Sequence, residues 1–290
     1  MIPTVLFARD KGLDVPRTNK PLADLQGKAT ALRRHVVTMV SRLRVGYLLQ
    51  GLGAADIFAA LYFDEIRHNP LDPTWDERDR LILSTAHNTA LLYATFAEAG
   101  AIPVAALETY TQDGSPLEVN ASERMGTLVE ATCGSLGQGL SVAVGMALSL
   151  RRKGRQSRVY VVLGDGELQE GQVWEAALSA GGFKLDNLCV IVDRNYLQVE
   201  GHSDKVLAMD PIDAKFAAFG WGAATVDGNS IEALTAALDQ ARETKGRPSC
   251  IVANTKPGFG VDFLEGQYAH VAFISNDDAA RALACLETAA

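Results

Sequence analysis

The chain has 290 residues, 48% of them hydrophobic, and a formal net charge of -8. That length and apolar content suffice to bury a substantial core in one large α/β domain or two small ones. The overall negative field argues against a nucleic-acid or anionic-membrane surface, so an anionic ligand needs local neutralisation. In chain order, residues 1–21 read as a polar, proline-containing lead and residues 22–290 as one domain without internal repeat or linker. From 22 to 50, Leu25, Leu32, Val36, Met39, Val40 and Leu43 recur at helical spacing and predict one helix, with Arg33, Arg34, Arg42 and Arg44 on its solvated or partner-facing sides. A helix is predicted over 54–63, a loop over 70–73, a short buried strand over 80–84 and a helix over 87–98. Residues 114–132 are irregular, and Cys133-Gly-Ser-Leu-Gly-Gln-Gly139 leads into an apolar helix ending near 151–153. Strands over 158–163, 188–193, 223–226 and 250–254 then alternate with helices over 168–180, 212–218 and 231–244, and a terminal helix lies near 277–287. Such alternation implies an α/β fold whose mainly parallel sheet is covered by helices on both faces.

The four cysteines, Cys133, Cys189, Cys250 and Cys285, are widely spaced and form no CxxC pair, so neither a zinc site nor a dithiol redox centre is indicated. The amino terminus has no basic region leading a long apolar run, and no stretch has bilayer length, so a cytoplasmic protein without membrane contact is expected.

The most informative stretch is Val161-Val-Leu-Gly-Asp-Gly-Glu-Leu-Gln-Glu-Gly171, followed by Val190-Ile-Val-Asp-Arg-Asn-Tyr-Leu-Gln-Val-Glu-Gly201. Each half opens as a buried strand and closes on polar residues. The separation of Asp165 from Asn195 matches one βαβ unit, whose parallel strands bring both carboxyl ends to the same sheet edge. A carboxylate, an amide oxygen and a backbone carbonyl, here assigned to Leu197, are hard ligands suited to Mg2+. Gly164 and Gly166 would keep side chains away from a diphosphate, and the following helix start presents amide hydrogens to it. Alone, Gly164-Asp165-Gly166 could be only a tight turn and Asn195 only a loop residue; the strand contexts and spacing together favour a Mg2+-diphosphate site.

With these residues in place the chain resembles the amino-terminal half of transketolase, especially transketolases split into two chains. Further matches are Gly-Ala-Ala-Asp-Ile-Phe-Ala-Ala-Leu-Tyr at 53–62, Arg-Asp-Arg-Leu-Ile-Leu-Ser at 78–84 and Gly-Ser-Leu-Gly-Gln-Gly-Leu-Ser at 134–141. The resemblance covers roughly 22–265 and implies the diphosphate-binding fold of thiamine diphosphate enzymes. It implies that Asp165, Asn195 and the Leu197 carbonyl bind Mg2+, that Gly166 and His87 help hold the diphosphate, and that Gly134 and Leu136 line the cofactor near its aminopyrimidine. Glu170 and Glu175 match acidic positions that reach the subunit interface in the family; the alternative is an ordinary charged helix face. The pyrimidine-binding domain that normally follows, with its activating glutamate, has no counterpart before Ala290. A second polypeptide resembling the carboxyl-terminal half is therefore expected to complete the site, in a heterotetramer.

The substrate side departs from the family. Tyr47 stands where a Gly-His pair is usual, and Asn120 takes the histidine position of a Gly-His-Pro motif. In Glu265-Gly-Gln-Tyr-Ala-His270, either His270 is the family's histidine after a one-residue deletion or Val271 replaces it. Tyr47 and Asn120 can hydrogen-bond a hydroxyl but do not titrate near neutrality as histidine does. His35, His68 and His202 read as structural or surface residues, and Ala86 replaces a usual glycine beside His87. The leading expectation is transfer of a two-carbon ketol or related acyl unit from an atypical ketose donor. The alternatives are half of a thiamine-dependent 2-oxoacid decarboxylase or carboligase, and a noncatalytic cofactor-binding regulatory subunit.

Overall fold

The structure is a computed structural model that describes residues 20–288, so positions 1–19 of the expected lead lie outside the described residues. Helix α1 (Leu22–Leu43) ends at Arg44, which adopts the left-handed conformation with φ 51°. The single helix predicted over 22–50 is therefore broken, and α2 (Leu48–Gly53) starts afresh after Tyr47. Gly46 supplies the turn: its φ is +107°, and a Cβ there would stand 2.8 Å from the Tyr110 hydroxyl. The apolar spacing runs on across the break through Leu43, Leu48 and Leu49, which is why periodicity alone does not register it.

Helix α3 (Ala55–Ala60) continues into a π-helical turn, Leu61–Glu65. Strand β1 (Arg80–Leu83) and a short turn, Ala86–Asn88, lead into α4 (Thr89–Glu98). After an irregular passage come α5 (Gln138–Arg152), β2 (Val159–Gly164) and α6 (Gly171–Gly182). Strand β3 (Leu188–Arg194) runs into a small hairpin, β4 (Leu197–Gln198) and β5 (Gly201–His202), and then α7 (Ser203–Leu207). Helix α8 (Ile212–Ala218), β6 (Gly222–Asp227), α9 (Ile231–Glu243), β7 (Ser249–Asn254) and α10 (Asn276–Thr288) complete the chain.

The five long strands form one sheet in the order β1-β2-β3-β7-β6, every pair parallel. Alternation along the strands divides the core between its faces. Tyr160, Val162, Ile191 and Ile251 pack with residues of α1 to α4, α9 and α10; Val161, Leu163, Val190, Val192 and Val252 pack with those of α5, α6 and α8. The α/β architecture is thus as expected, with continuous apolar strands because both faces are covered. The register pairs Gly164 with Asp193 and Arg194 with Asn254, so the polar residues that end β2, β3 and β7 share one edge.

Candidate active site

At that carboxyl edge lies a cleft lined by His87, Leu136, Asp165, Gly166, Glu170, Asn195, Leu197 and His270, together with Gln50, Glu167 and Glu200. Its position at the strand ends is where α/β sheets bind ligands.

The loop after β3 is held against the loop after β2 by Asp165. This carboxylate is 3% exposed. Its Oδ2 accepts hydrogen bonds from the Tyr196 amide at 3.0 Å and the Ser203 hydroxyl at 2.6 Å, while Oδ1 accepts from the Gly166 amide at 2.9 Å. Burial pushes the Asp165 carboxyl up from 3.8 to about 6, opposed by the Ser203 hydrogen bond and reinforced by the Asp193 charge. Tyr196 takes φ 61° to deliver its amide, a conformation a non-glycine residue holds only when its surroundings impose it. Arg194 supports the turn by stacking over the Tyr196 ring at 4.5 Å and pairing with Asp204 and Asp210.

Asn195 is oriented from beneath. Its Nδ2 donates to Asp193 Oδ2 at 2.9 Å, and its Oδ1 accepts from the Leu197 amide at 2.9 Å. A Cβ on Gly166 would stand 3.2 Å from the Gln198 Cβ and 3.8 Å from the Leu197 carbonyl oxygen, so the glycine leaves room where the two loops meet. A buried carboxylate, an amide oxygen and a carbonyl beside that gap form a hard-oxygen donor set that fits Mg2+ and a diphosphate.

Glu167, which sequence reasoning missed, ties the cleft walls together. Buried to 2% exposure, it accepts from the Gly164 amide at 3.0 Å, the Gly137 amide at 2.7 Å and the Ser84 hydroxyl. Its carboxyl is raised by burial and held down again by these donors. It joins β2, the 133–139 loop and the end of β1, and no local pattern distinguishes it from the exposed Glu170. Asp193 and Ser203 were likewise outside the sequence-based set.

On one side of the cleft the lining imidazoles of His87 and His270 pack against the Tyr47 ring. Tyr47 stands edge-on to His87 with centroids 4.5 Å apart and to His270 at 5.2 Å, and the two imidazoles meet at 4.7 Å. His270 lines the cleft, whereas Val271 is 50% exposed. Burial, reinforced by the neighbouring His270, pushes the His87 imidazole from 6.5 down to about 4. The unfolded chain therefore takes up a proton below pH 6.5 that the folded chain refuses until about pH 4. The resulting contribution is fully present above the upper value and is lost as pH falls through the window, by roughly 3 kcal/mol. Denaturant titrations between these pH values should show His87→Asn losing that part of the acid sensitivity; an unchanged slope would show that His87 titrates normally.

Not every expected residue converges. Asn120 is exposed and packs beside Gly134, its Nδ2 3.5 Å from where a Gly134 Cβ would stand, and neither lines the cleft. Leu136 reaches it, and its carbonyl accepts from Gln172 Nε2 at 2.9 Å. Glu175 is exposed on α6 away from the lining, while Glu170 is at the rim.

Residues 26–286 match the family model described as transketolase, thiamine diphosphate binding domain. The chain is 46% identical over 244 residues to an uncharacterized transketolase family protein of Sinorhizobium fredii, covering 84% of this chain and 88% of that one. It is 39% identical over 246 residues to a 6-deoxy-6-sulfo-D-fructose transketolase subunit of a Clostridium species, covering 85% and 90%. A solved transketolase variant from Pichia stipitis superposes with a TM-score of 0.84 at 30% identity, covering 90% of this chain but only 40% of that longer one. The chain belongs to the transketolase family, as a subunit carrying its thiamine diphosphate binding domain.

Proposed function

We propose that this subunit grips the diphosphate of thiamine diphosphate through Mg2+ held by Asp165, Asn195 and the Leu197 carbonyl, and that a second polypeptide resembling the carboxyl-terminal half of transketolase completes the site. The observation that carries the reading is the interlocked pair of loops, in which the Tyr196 amide and Ser203 hydroxyl hold Asp165 while Asp193 orients Asn195. When bound, thiamine diphosphate would supply a nucleophilic carbon for transfer of a two-carbon ketol unit to an aldehyde. This chain's residues would bind and orient: Gly166 would admit the diphosphate, His87 would help hold it as a neutral imidazole, and Leu136 would line the cofactor near its aminopyrimidine. Gly134 would lie with Leu136 near the aminopyrimidine, and Glu170 and Glu175 would reach the surface that meets the partner, in a heterotetramer. A cytoplasmic setting is part of the same proposal and is supported by the buried thiols of Cys133, Cys189 and Cys250. Among the described residues no helix is long and apolar enough to cross a membrane.

Tyr47 in place of a histidine, packed against His87 and His270, favours a ketose other than the common pentose phosphates. The sulfo-sugar named for the Clostridium relative supports such a substrate class for subunits of this build. A 2-oxoacid decarboxylase or carboligase is the second reading, separated by whether carbon dioxide or an aldehyde leaves the donor.

The test is calorimetric titration of thiamine diphosphate with Mg2+ into this chain alone and into a mixture with the candidate partner. Affinity that rises at least about tenfold with the partner, roughly 1.4 kcal/mol, is the expected result. Tight binding and full turnover by the isolated chain would overturn the shared-site reading.

A further inference from the structure

Gln50 lies in the first turn of α2 and lines the cleft, yet it is only 2% exposed. Its Nε2 donates to the carbonyl oxygen of His270 at 2.9 Å. That bond settles the amide's orientation, because a carbonyl only accepts and a flipped amide would set two oxygens against each other. Gln50 Oε1 is consequently directed away from His270's backbone, and it has no partner among the described residues. A buried amide oxygen left without a donor is destabilising, so such an atom in the wall of a ligand cleft points to a donor that arrives with the ligand. The Nε2 of His270 is buried and unpartnered in the same way.

We propose that Gln50 Oε1 accepts a hydrogen bond from the hydroxyl beside the carbonyl of the donor substrate, and so selects hydroxylated donors over their deoxy counterparts. This rests on the reading of the cleft as a thiamine diphosphate site. The neighbouring groups match a hydroxyl, which both donates and accepts. A neutral imidazole, as at His270 in the same wall, offers one donor and one acceptor nitrogen. An ammonium, with donors only, would leave the imidazole N–H without an acceptor. Gln50 is thus a specificity-determining residue at the head of the cleft, pinned by a backbone carbonyl from a segment 220 positions away.

The experiment uses the reconstituted two-chain complex with thiamine diphosphate and Mg2+, and hydroxypyruvate and pyruvate as probes that differ by that one hydroxyl. Carbon dioxide release with glycolaldehyde as acceptor gives kcat/KM for each, and calorimetry gives cofactor affinity. Gln50→Leu and the more closely isosteric Gln50→Met should lower the hydroxypyruvate-to-pyruvate ratio by about tenfold to a hundredfold, with cofactor affinity within twofold of wild type. An unchanged ratio in the two apolar variants overturns the proposal, as does a fall in cofactor affinity of the same size as any fall in the ratio. If the wild-type complex binds no cofactor, the underlying reading of the site fails instead, and calorimetry distinguishes that case before any donor is added.

Discussion

Asp165→Asn should abolish the Mg2+ dependence of thiamine diphosphate binding while leaving a folded chain. The substitution keeps the side chain's shape and removes the charge that a cation needs. Removing a partner one step behind a metal ligand commonly costs tenfold to a hundredfold in affinity, so loss of the ligand itself should cost about a hundredfold or more. Folding should tolerate it because the carboxylate is 3% exposed and burial already works against its charged form. The amide keeps one oxygen, so either the Gly166 amide on Oδ1 or the Tyr196 amide and Ser203 hydroxyl on Oδ2 lose their acceptor. Calorimetry at fixed cofactor over a range of Mg2+, with circular dichroism as the folding control, checks both halves. A variant that binds cofactor with wild-type Mg2+ dependence would remove Asp165 from the metal site.

The second large effect should come from beneath the site. Asp193 is 0% exposed and accepts from three side chains: Thr255 at 2.5 Å, Asn195 at 2.9 Å and Asn88 at 3.1 Å. Burial raises its carboxyl, and these three donors hold it down. Asp193→Ala would leave buried donors without an acceptor, each costing about 1–3 kcal/mol with partial relaxation, so a total loss of roughly 3–5 kcal/mol is expected. Asn195 would also lose the contact that orients its amide, and Mg2+ affinity should fall by about tenfold to a hundredfold. Urea titration of the isolated chain measures the first effect and Mg2+ titration the second. Asp193→Asn, which retains one acceptor oxygen, should recover part of the stability. An alanine variant as stable as wild type would mean that this network carries no structural weight.

Much of the framework is legible along the chain because local patterns encode it. The strand predicted over 188–193 is observed as Leu188–Arg194, and the helix predicted over 231–244 as Ile231–Glu243. Continuous apolar runs can be buried on both faces only in a covered sheet, and regular apolar spacing defines one helix face. Helix α6 starts at Gly171 rather than at the predicted 168, because Gly166–Gln169 forms a separate turn capped by the Asp165 carboxylate. The convergence of Asp165 with Asn195 was legible for a topological reason: successive parallel strands must end on the same edge.

What the sequence by itself determined was therefore the α/β framework and the gathering of polar residues at the ends of β2 and β3. Only the tertiary structure decided which distant groups meet them there. Ser84 meets Glu167 across 83 positions, Tyr47 meets both His87 and His270, and Gln50 meets the His270 carbonyl across 220. Hydrophobic periodicity reports which side of an element is buried, whereas a buried polar side chain is defined by the donor or acceptor it finds. That partner is set by how helices and loops pack around the sheet, so Glu170 and the buried Glu167 look alike in the chain and differ only once the loops have closed over one of them.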